Sequence, residues 1–247
     1  MNYSWNFGIF LERTPDGAAT YAGWLISGLG WTVAVALCGW LLALLLGLPL
    51  GVMRTLPHRW ARNLAVGYVE LFRNVPLLAQ LFIGYYVVPE LLPTAWGNAV
   101  KQMHPTLNQF LTAFICLGLF TAARVCEQAR AGIEALPPGQ KSAALALGLS
   151  LPQTYRRVLL PLALRIVIPP LTSEFLNIFK NSAVALTIGL LELTAQSRQI
   201  SEYTAQTFEA FIAATLLYLV VTFTVMAAMG RVERRSRIPG YLGGRGE

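Results

Sequence analysis

Charge is scarce in this chain. Charged residues make up 13% of its 247 residues, none lies between Gly17 and Met53, and 55% of the chain is hydrophobic. A soluble domain carries about 25% charged residues. With a mean hydropathy of +0.53, the apolar surface exceeds what a water-soluble core absorbs, and lipid is the natural solvent. Cysteine is nearly missing too. Cys38, Cys116 and Cys126 are odd in number, sit in apolar segments and form no CxxC pair, which excludes a disulfide framework and a zinc site and leaves them as small buried hydrophobes. The two histidines, His58 and His104, have no metal-like companions and read as solvated loop residues. No nucleophile-base pair is in sight, so a membrane-embedded enzyme lacks its machinery. The net charge of +7 comes from scattered bases rather than a basic stripe interleaved with aromatics, and no nucleic-acid partner is expected. The start from Met1 to Tyr21 lacks the basic n-region of a signal peptide and carries Glu12 and Asp16 instead, with a Pro15-Asp16-Gly17 turn, so the first apolar segment is expected to stay in the mature protein.

What the chain has is long apolar stretches. A span needs about 20 apolar residues, and one fits between Trp24 and Val52. Further candidates run from Tyr68 to Val88, stopped by Pro89 and Pro93, from Phe110 to about Ala129, from Ile166 to Leu190 and from Phe208 to Gly230. The expected fold is therefore an all-α integral membrane protein with about five transmembrane helices. Between the third and fourth candidates, a basic, proline-containing segment at about 131–165 is too amphipathic to span. Several of the tryptophans Trp5, Trp24, Trp31, Trp40, Trp60 and Trp96 fall near expected interfaces, as in an aromatic belt.

Orientation follows from the 19 Lys and Arg residues. Arg54, Arg59 and Arg62, then Arg130, Lys141, Arg156, Arg157 and Arg165, then Arg231, Arg234, Arg235, Arg237 and Arg245 occupy alternate segments; the segments between them hold only Arg13, Lys101 and Arg198. By the positive-inside rule the N-terminus is expected outside, and the long loop and the C-terminus are expected to be cytoplasmic. The expected organisation is a periplasmic N-terminal segment (1–23), a transmembrane domain (24–230) and a basic cytoplasmic tail (231–247).

The loop reads Pro137-Pro138-Gly139-Gln140-Lys141-Ser142-Ala143-Ala144-Leu145-Ala146-Leu147-Gly148-Leu149-Ser150, followed by Val158-Leu159-Leu160-Pro161. A short helix over Ser142–Leu147, a break at Gly148 and a second short helix from Leu151 make a knob of small residues. Such a knob suits a partner's cleft, and it equally suits an ordinary surface hairpin. The pattern resembles the EAA loop of binding-protein-dependent ABC importer permeases: Ser142-Ala143-Ala144, Gly148, Val158 and Leu160-Pro161 keep its spacing. Ser142 departs from the family's Glu, which puts a charged contact from that position in question. Pro138-Gly139-Gln140, and Arg73-Asn74-Val75-Pro76-Leu77-Leu78-Ala79-Gln80-Leu81-Phe82, are similar to the polar amino-acid branch. Across Leu117–Glu127 and Pro169–Gln196 the chain looks closest to permease subunits of glutamate/aspartate importers.

The resemblance implies the type I ABC importer permease fold in a bacterial inner membrane, with Ser142, Ala143, Ala144, Gly148 and Leu149 coupling to the ATPase. It also implies a cytoplasmic ATPase dimer, a second similar permease subunit or a homodimer, and a periplasmic substrate-binding protein, all beside membrane lipid. The chain has no GxxxxGK[ST] sequence to cradle phosphates. ATP is then hydrolysed by a partner subunit, and no cofactor is expected on this chain.

Three cations, Arg73, Arg124 and Lys180, fall within or at the edges of expected spans, where each charge costs about 2.5–3.5 kcal/mol on insertion scales and should face protein or a water-filled path. Arg124, Glu127 and Arg130 recur at every third residue and could pair along one face. Arg124 either snorkels to headgroups or, standing where the branch usually carries an aromatic, receives a substrate carboxylate. Glu174, Asn177, Lys180 and Asn181 give the fourth span a polar side that suits a translocation path or a polar seam; Glu174 could meet an α-ammonium and Lys180 a carboxylate. Glu70 and Arg73 are expected to form a local ion pair. An ion-coupled secondary transporter for polar amino acids is the alternative function, but the inverted repeats and paired broken helices of such folds are not evident.

Overall fold

The computed structural model describes residues 3–236. Arg237 and Arg245, together with the rest of the expected basic tail beyond Ser236, lie outside the described residues. Nearly everything described is helical, and no strand forms among these residues beyond one isolated antiparallel bridge between Arg13 and Thr20. After a 3-10 turn at Phe7–Leu11 come α1 (Tyr21–Thr55), α2 (Arg59–Asn74), α3 (Leu77–Leu91), α4 (Thr94–Lys101), α5 (Pro105–Glu134), α6 (Pro138–Ala146), α7 (Leu151–Ile188), α8 (Leu193–Thr204) and α9 (Thr207–Ser236). Four helices, α1, α5, α7 and α9, are long and apolar enough to cross a membrane, and a fifth crossing results if the bent pair α2 and α3 counts as one. This agrees with about five spans in an all-α fold.

Two expectations fail in instructive ways. The span from Tyr68 to Val88 is not one helix, because the chain breaks between Asn74 and Leu77. Pro76 has φ −56° and ψ 138°, and its ring keeps the preceding Val75 from joining a helix. The second short helix of the loop does not end: Leu151–Thr154 runs on through a π-helical turn at Tyr155–Leu159 into the long helix that carries Pro169 and Pro170. The knob is thus a single helix, α6, joined through Gly148 to the first turn of a span. Gly148 stands at φ +83°, a conformation that costs glycine little and a β-branched residue much.

The chain divides into two compact units. One comprises the residues up to Leu42, Val75–Phe120 and Asn177–Phe223; the other comprises Ala43–Asn74, Thr121–Leu176 and the residues from Thr224 on. In the first, Ile9, Tyr21, Leu25, Leu193, Ile200, Ala210 and Ala214 form a core that fastens the N-terminal segment to α1, α8 and α9. In the second, Ile133, Leu136, Tyr155, Leu159 and Ala163 form one core, and Val69, Ala123 and Cys126 form another that seats α2 on α5. Close crossing of α1 and α5 within this unit depends on Gly47 and Gly51. A Cβ on Gly47 would come within 2.6 Å of the Ala122 carbonyl oxygen, and one on Gly51 within 2.5 Å of the Ala129 methyl. Small residues spaced four apart let helix backbones approach in lipid, where packing rather than the hydrophobic effect drives association.

Candidate functional site

In the second unit, α5 presents its charges to two different partners. Arg124 and Glu127 do not pair with one another. Arg124 Nε lies 3.6 Å from Glu174 Oε2 on α7, with the Arg124 side chain 41% exposed and that of Glu174 only 10% exposed. Glu174 Oε2 has no hydrogen-bond partner within the protein, so this carboxylate is dry, close to a guanidinium and incompletely satisfied. Burial of such a group is costly unless paired. A guanidinium beside it can accept a second carboxylate through two parallel N–H donors.

Glu127 pairs instead with Arg54 at the end of α1 and with Arg130, whose Nη2 is 3.0 Å away. Arg130 also pairs with Glu134 one turn on. The i,i+3 contact was legible in the spacing; the Arg54 contact was not, because it comes from another helix. Arg54, Glu127 and Arg130 join Glu70, Arg73 and Asn74 around a polar recess of about 360 Å³. Glu70 and Arg73 line it without forming the expected ion pair; both side chains are exposed, and exposed pairs gain too little to hold two long side chains in one geometry.

The knob begins where Pro137 and Pro138 start α6, Pro138 supplying the fixed φ favourable in a first turn. Ser142, Ala143 and Gly148 are exposed and Leu149 is half-buried, as contact residues would be. Ala144 is only 4% exposed and packs inward. Leu145 and Leu147, which sequence reasoning passed over, are 42% and 84% exposed. Below the knob, the Tyr155 hydroxyl donates to the Thr55 carbonyl oxygen at 2.9 Å, linking the start of α7 to the end of α1.

Asn177, Lys180 and Asn181 belong to the first unit. Asn177 and Asn181 are half-buried and Lys180 is exposed. One fully buried carboxylate here is a residue that sequence reasoning missed, Glu192, which caps α8. It accepts from Ala195 N–H (2.8 Å), Thr194 N–H (3.0 Å) and the Tyr218 hydroxyl (2.9 Å), with a longer contact from the Thr32 hydroxyl at 3.4 Å. Thr32 Oγ1 in turn accepts from Leu193 N–H. Burial pushes the Glu192 pKa above the usual carboxylate range, although the donors around it pull the other way. A lone Glu in Leu190-Leu191-Glu192-Leu193-Thr194 was the only signal, and N-caps are ordinarily sought at Ser, Thr, Asp or Asn.

Comparison with known proteins gives a consistent result. Residues 43–238 match the family described as binding-protein-dependent transport system inner membrane component. The chain is 51% identical over 246 residues, 99% of its length and 100% of the relative's, to the glutamate/aspartate import permease protein GltJ of Escherichia coli K12. It is 33% identical over 201 residues, 81% of its length and 86% of the relative's, to the probable glutamine ABC transporter permease protein GlnM of Bacillus subtilis 168. Among solved structures, the crystal structure of an amino acid ABC transporter with histidines superposes with a TM-score of 0.74 at 30% identity, covering 87% of this chain and 95% of that one.

Proposed function

The chain belongs to the family of binding-protein-dependent transport system inner membrane components, a multi-pass permease subunit of an ABC importer, and from that premise we propose that it passes acidic amino acids, glutamate and aspartate, across the inner membrane. The observation that carries this reading is the Arg124–Glu174 pair: a half-exposed guanidinium held 3.6 Å from a buried, incompletely satisfied carboxylate. An acidic amino acid brings two carboxylates and one ammonium. One carboxylate takes the guanidinium fork of Arg124, and the ammonium takes the Glu174 oxygen that the protein leaves without a hydrogen bond. Asn177, Lys180 and Asn181 come next along the chain of α7. The full-length similarity to a glutamate/aspartate permease supports the same substrate class.

In this reading the chain is not itself an enzyme and binds no cofactor. Its partners are an ATPase dimer, a second permease subunit of the same or a similar kind, and a periplasmic substrate-binding protein. The basic loop and tail face the cytoplasm, where Ser142, Ala143, Gly148 and Leu149, with the exposed Leu145 and Leu147, dock on the ATPase; Ala144 supports the knob from within. The test is ATPase activity of the assembled complex with its loaded binding protein and a panel of amino acids. Stimulation by glutamate and aspartate, but not by glutamine or arginine, is the expected result, and equal stimulation across the panel would sink the substrate assignment. Gly148→Val, which forces a β-branched residue into a left-handed conformation, should abolish this stimulation while binding-protein affinity is unchanged.

A further inference from the structure

The break at Pro76 leaves α2 as a separate helix of 16 residues. It carries Arg59, Arg62, Glu70 and Arg73, each costly in the hydrocarbon layer, so the apolar part of the bent pair's crossing falls to α3. The surface of α2 divides into three faces. Ala65 and Val69 are buried, 0% and 4% exposed, and Val69 with Tyr68 and Phe72 packs on Ala123, Cys126 and Leu50. Arg59, Arg62, Asn63, Glu70, Arg73 and Asn74 form an exposed polar face, and none of its arginines enters an ion pair among the described residues.

The third face is apolar and uncovered. Trp60, Leu64 and Leu71 are 90%, 63% and 59% exposed, and a Cβ added to Gly67 would meet nothing within 4 Å. Positions 60, 64, 67 and 71, spaced by four, three and four, lie along one narrow stripe of a helix.

We propose that α2 lies along the bilayer surface, its Trp60-Leu64-Leu71 stripe sunk among the acyl chains and its arginines on the phosphates of the headgroup layer. Three observations select lipid as the occupant. Only Leu56, Pro57 and His58 separate α2 from the end of α1, a membrane-crossing helix, so Trp60 starts within about 18 Å of where that span ends, at no more than 3.6 Å per residue. The polar face carries three arginines against one glutamate, complementary to phosphate. The stripe also begins with a tryptophan, the side chain that sits best at headgroup level. Because the opposite face packs on Ala123 and Cys126, either side of Arg124 on α5, the helix ties the charged stretch of α5 to the membrane surface.

The test uses nitroxide labels on single substitutions in the full complex, reconstituted in vesicles of phosphatidylethanolamine and phosphatidylglycerol. The native cysteines are buried or half-buried, and the unsubstituted chain reports their background. At Trp60→Cys, Leu64→Cys and Leu71→Cys, collisions with oxygen should exceed those with a water-soluble nickel chelate several-fold, and the order should reverse at Asn63→Cys and Glu70→Cys. Chelate access at the stripe would mean that the helix stands clear of the membrane. Exclusion of both reagents there would mean that protein, such as a second copy of this chain, covers it. Either result overturns the proposal.

Discussion

Glu192 and Glu174 are both buried, and they are held in opposite ways. Glu192 in the first unit is fully buried and receives three short hydrogen bonds and a longer one from groups fixed by α8, α9 and α1. Glu174 in the second unit is 8% exposed, and one of its oxygens has a guanidinium at 3.6 Å and no hydrogen bond. A carboxylate that accepts from backbone N–H groups and hydroxyls stabilises its surroundings and has nothing left to offer a ligand. One left short of donors costs stability, and persists most readily where a ligand completes it. The difference separates a fastening from a candidate site more sharply than burial or charge does.

Substitutions at the two carboxylates and their partners test that separation. The largest effect is expected at Arg124→Met, which keeps apolar volume and removes the fork of donors. Loss of a charge-assisted carboxylate contact of about 1.5–3 kcal/mol should lower glutamate and aspartate uptake roughly ten- to a hundredfold while the complex still assembles. Normal uptake by assembled complex would reduce Arg124 to a snorkelling anchor.

Glu192→Gln comes next. It turns one acceptor into a donor facing the fixed N–H groups of Thr194 and Ala195, and should cost about 2 kcal/mol, read as a lower melting temperature of the purified complex with substrate affinity unchanged. Thr32→Val, which strands the Leu193 N–H, should follow the same pattern at about 1 kcal/mol. The smallest stability change belongs to Glu174→Gln, about 1 kcal/mol or less because its pairing is partial, yet this variant should lower uptake several-fold. A Glu174→Gln complex that melts early but transports normally would reverse the roles assigned to the two glutamates.

The outlines of α1, α5 and α9 were legible because a lipid-crossing helix must present a long uncharged run whatever it packs against. The loop knob was legible down to its turn, since a glycine at a helix end predicts a left-handed residue. The second crossing was misjudged because the apolar window from Tyr68 to Val88 averages across Pro76, and averaging hides a break that a single proline enforces. The start of α7 was misjudged for the opposite reason: Leu151–Tyr155 looks like a short amphipathic turn until its helix is seen to continue through Arg156 and Arg157 into the span. Within the candidate site, Arg124 and Glu174 were each singled out by their charge in apolar surroundings. Their pairing with one another, and that of Glu127 with Arg54, joins residues far apart along the chain.

The sequence by itself determined that the chain lives in a membrane, roughly where it crosses, and which few charges need an explanation there, because hydropathy and residue type act locally and add along the chain. The tertiary structure alone decided which of those charges is satisfied. Glu192 finds two donors in the first turn of its own helix, but the Tyr218 and Thr32 hydroxyls beside it, like the Arg124 guanidinium beside Glu174, come from helices distant in sequence, and no local pattern records that encounter.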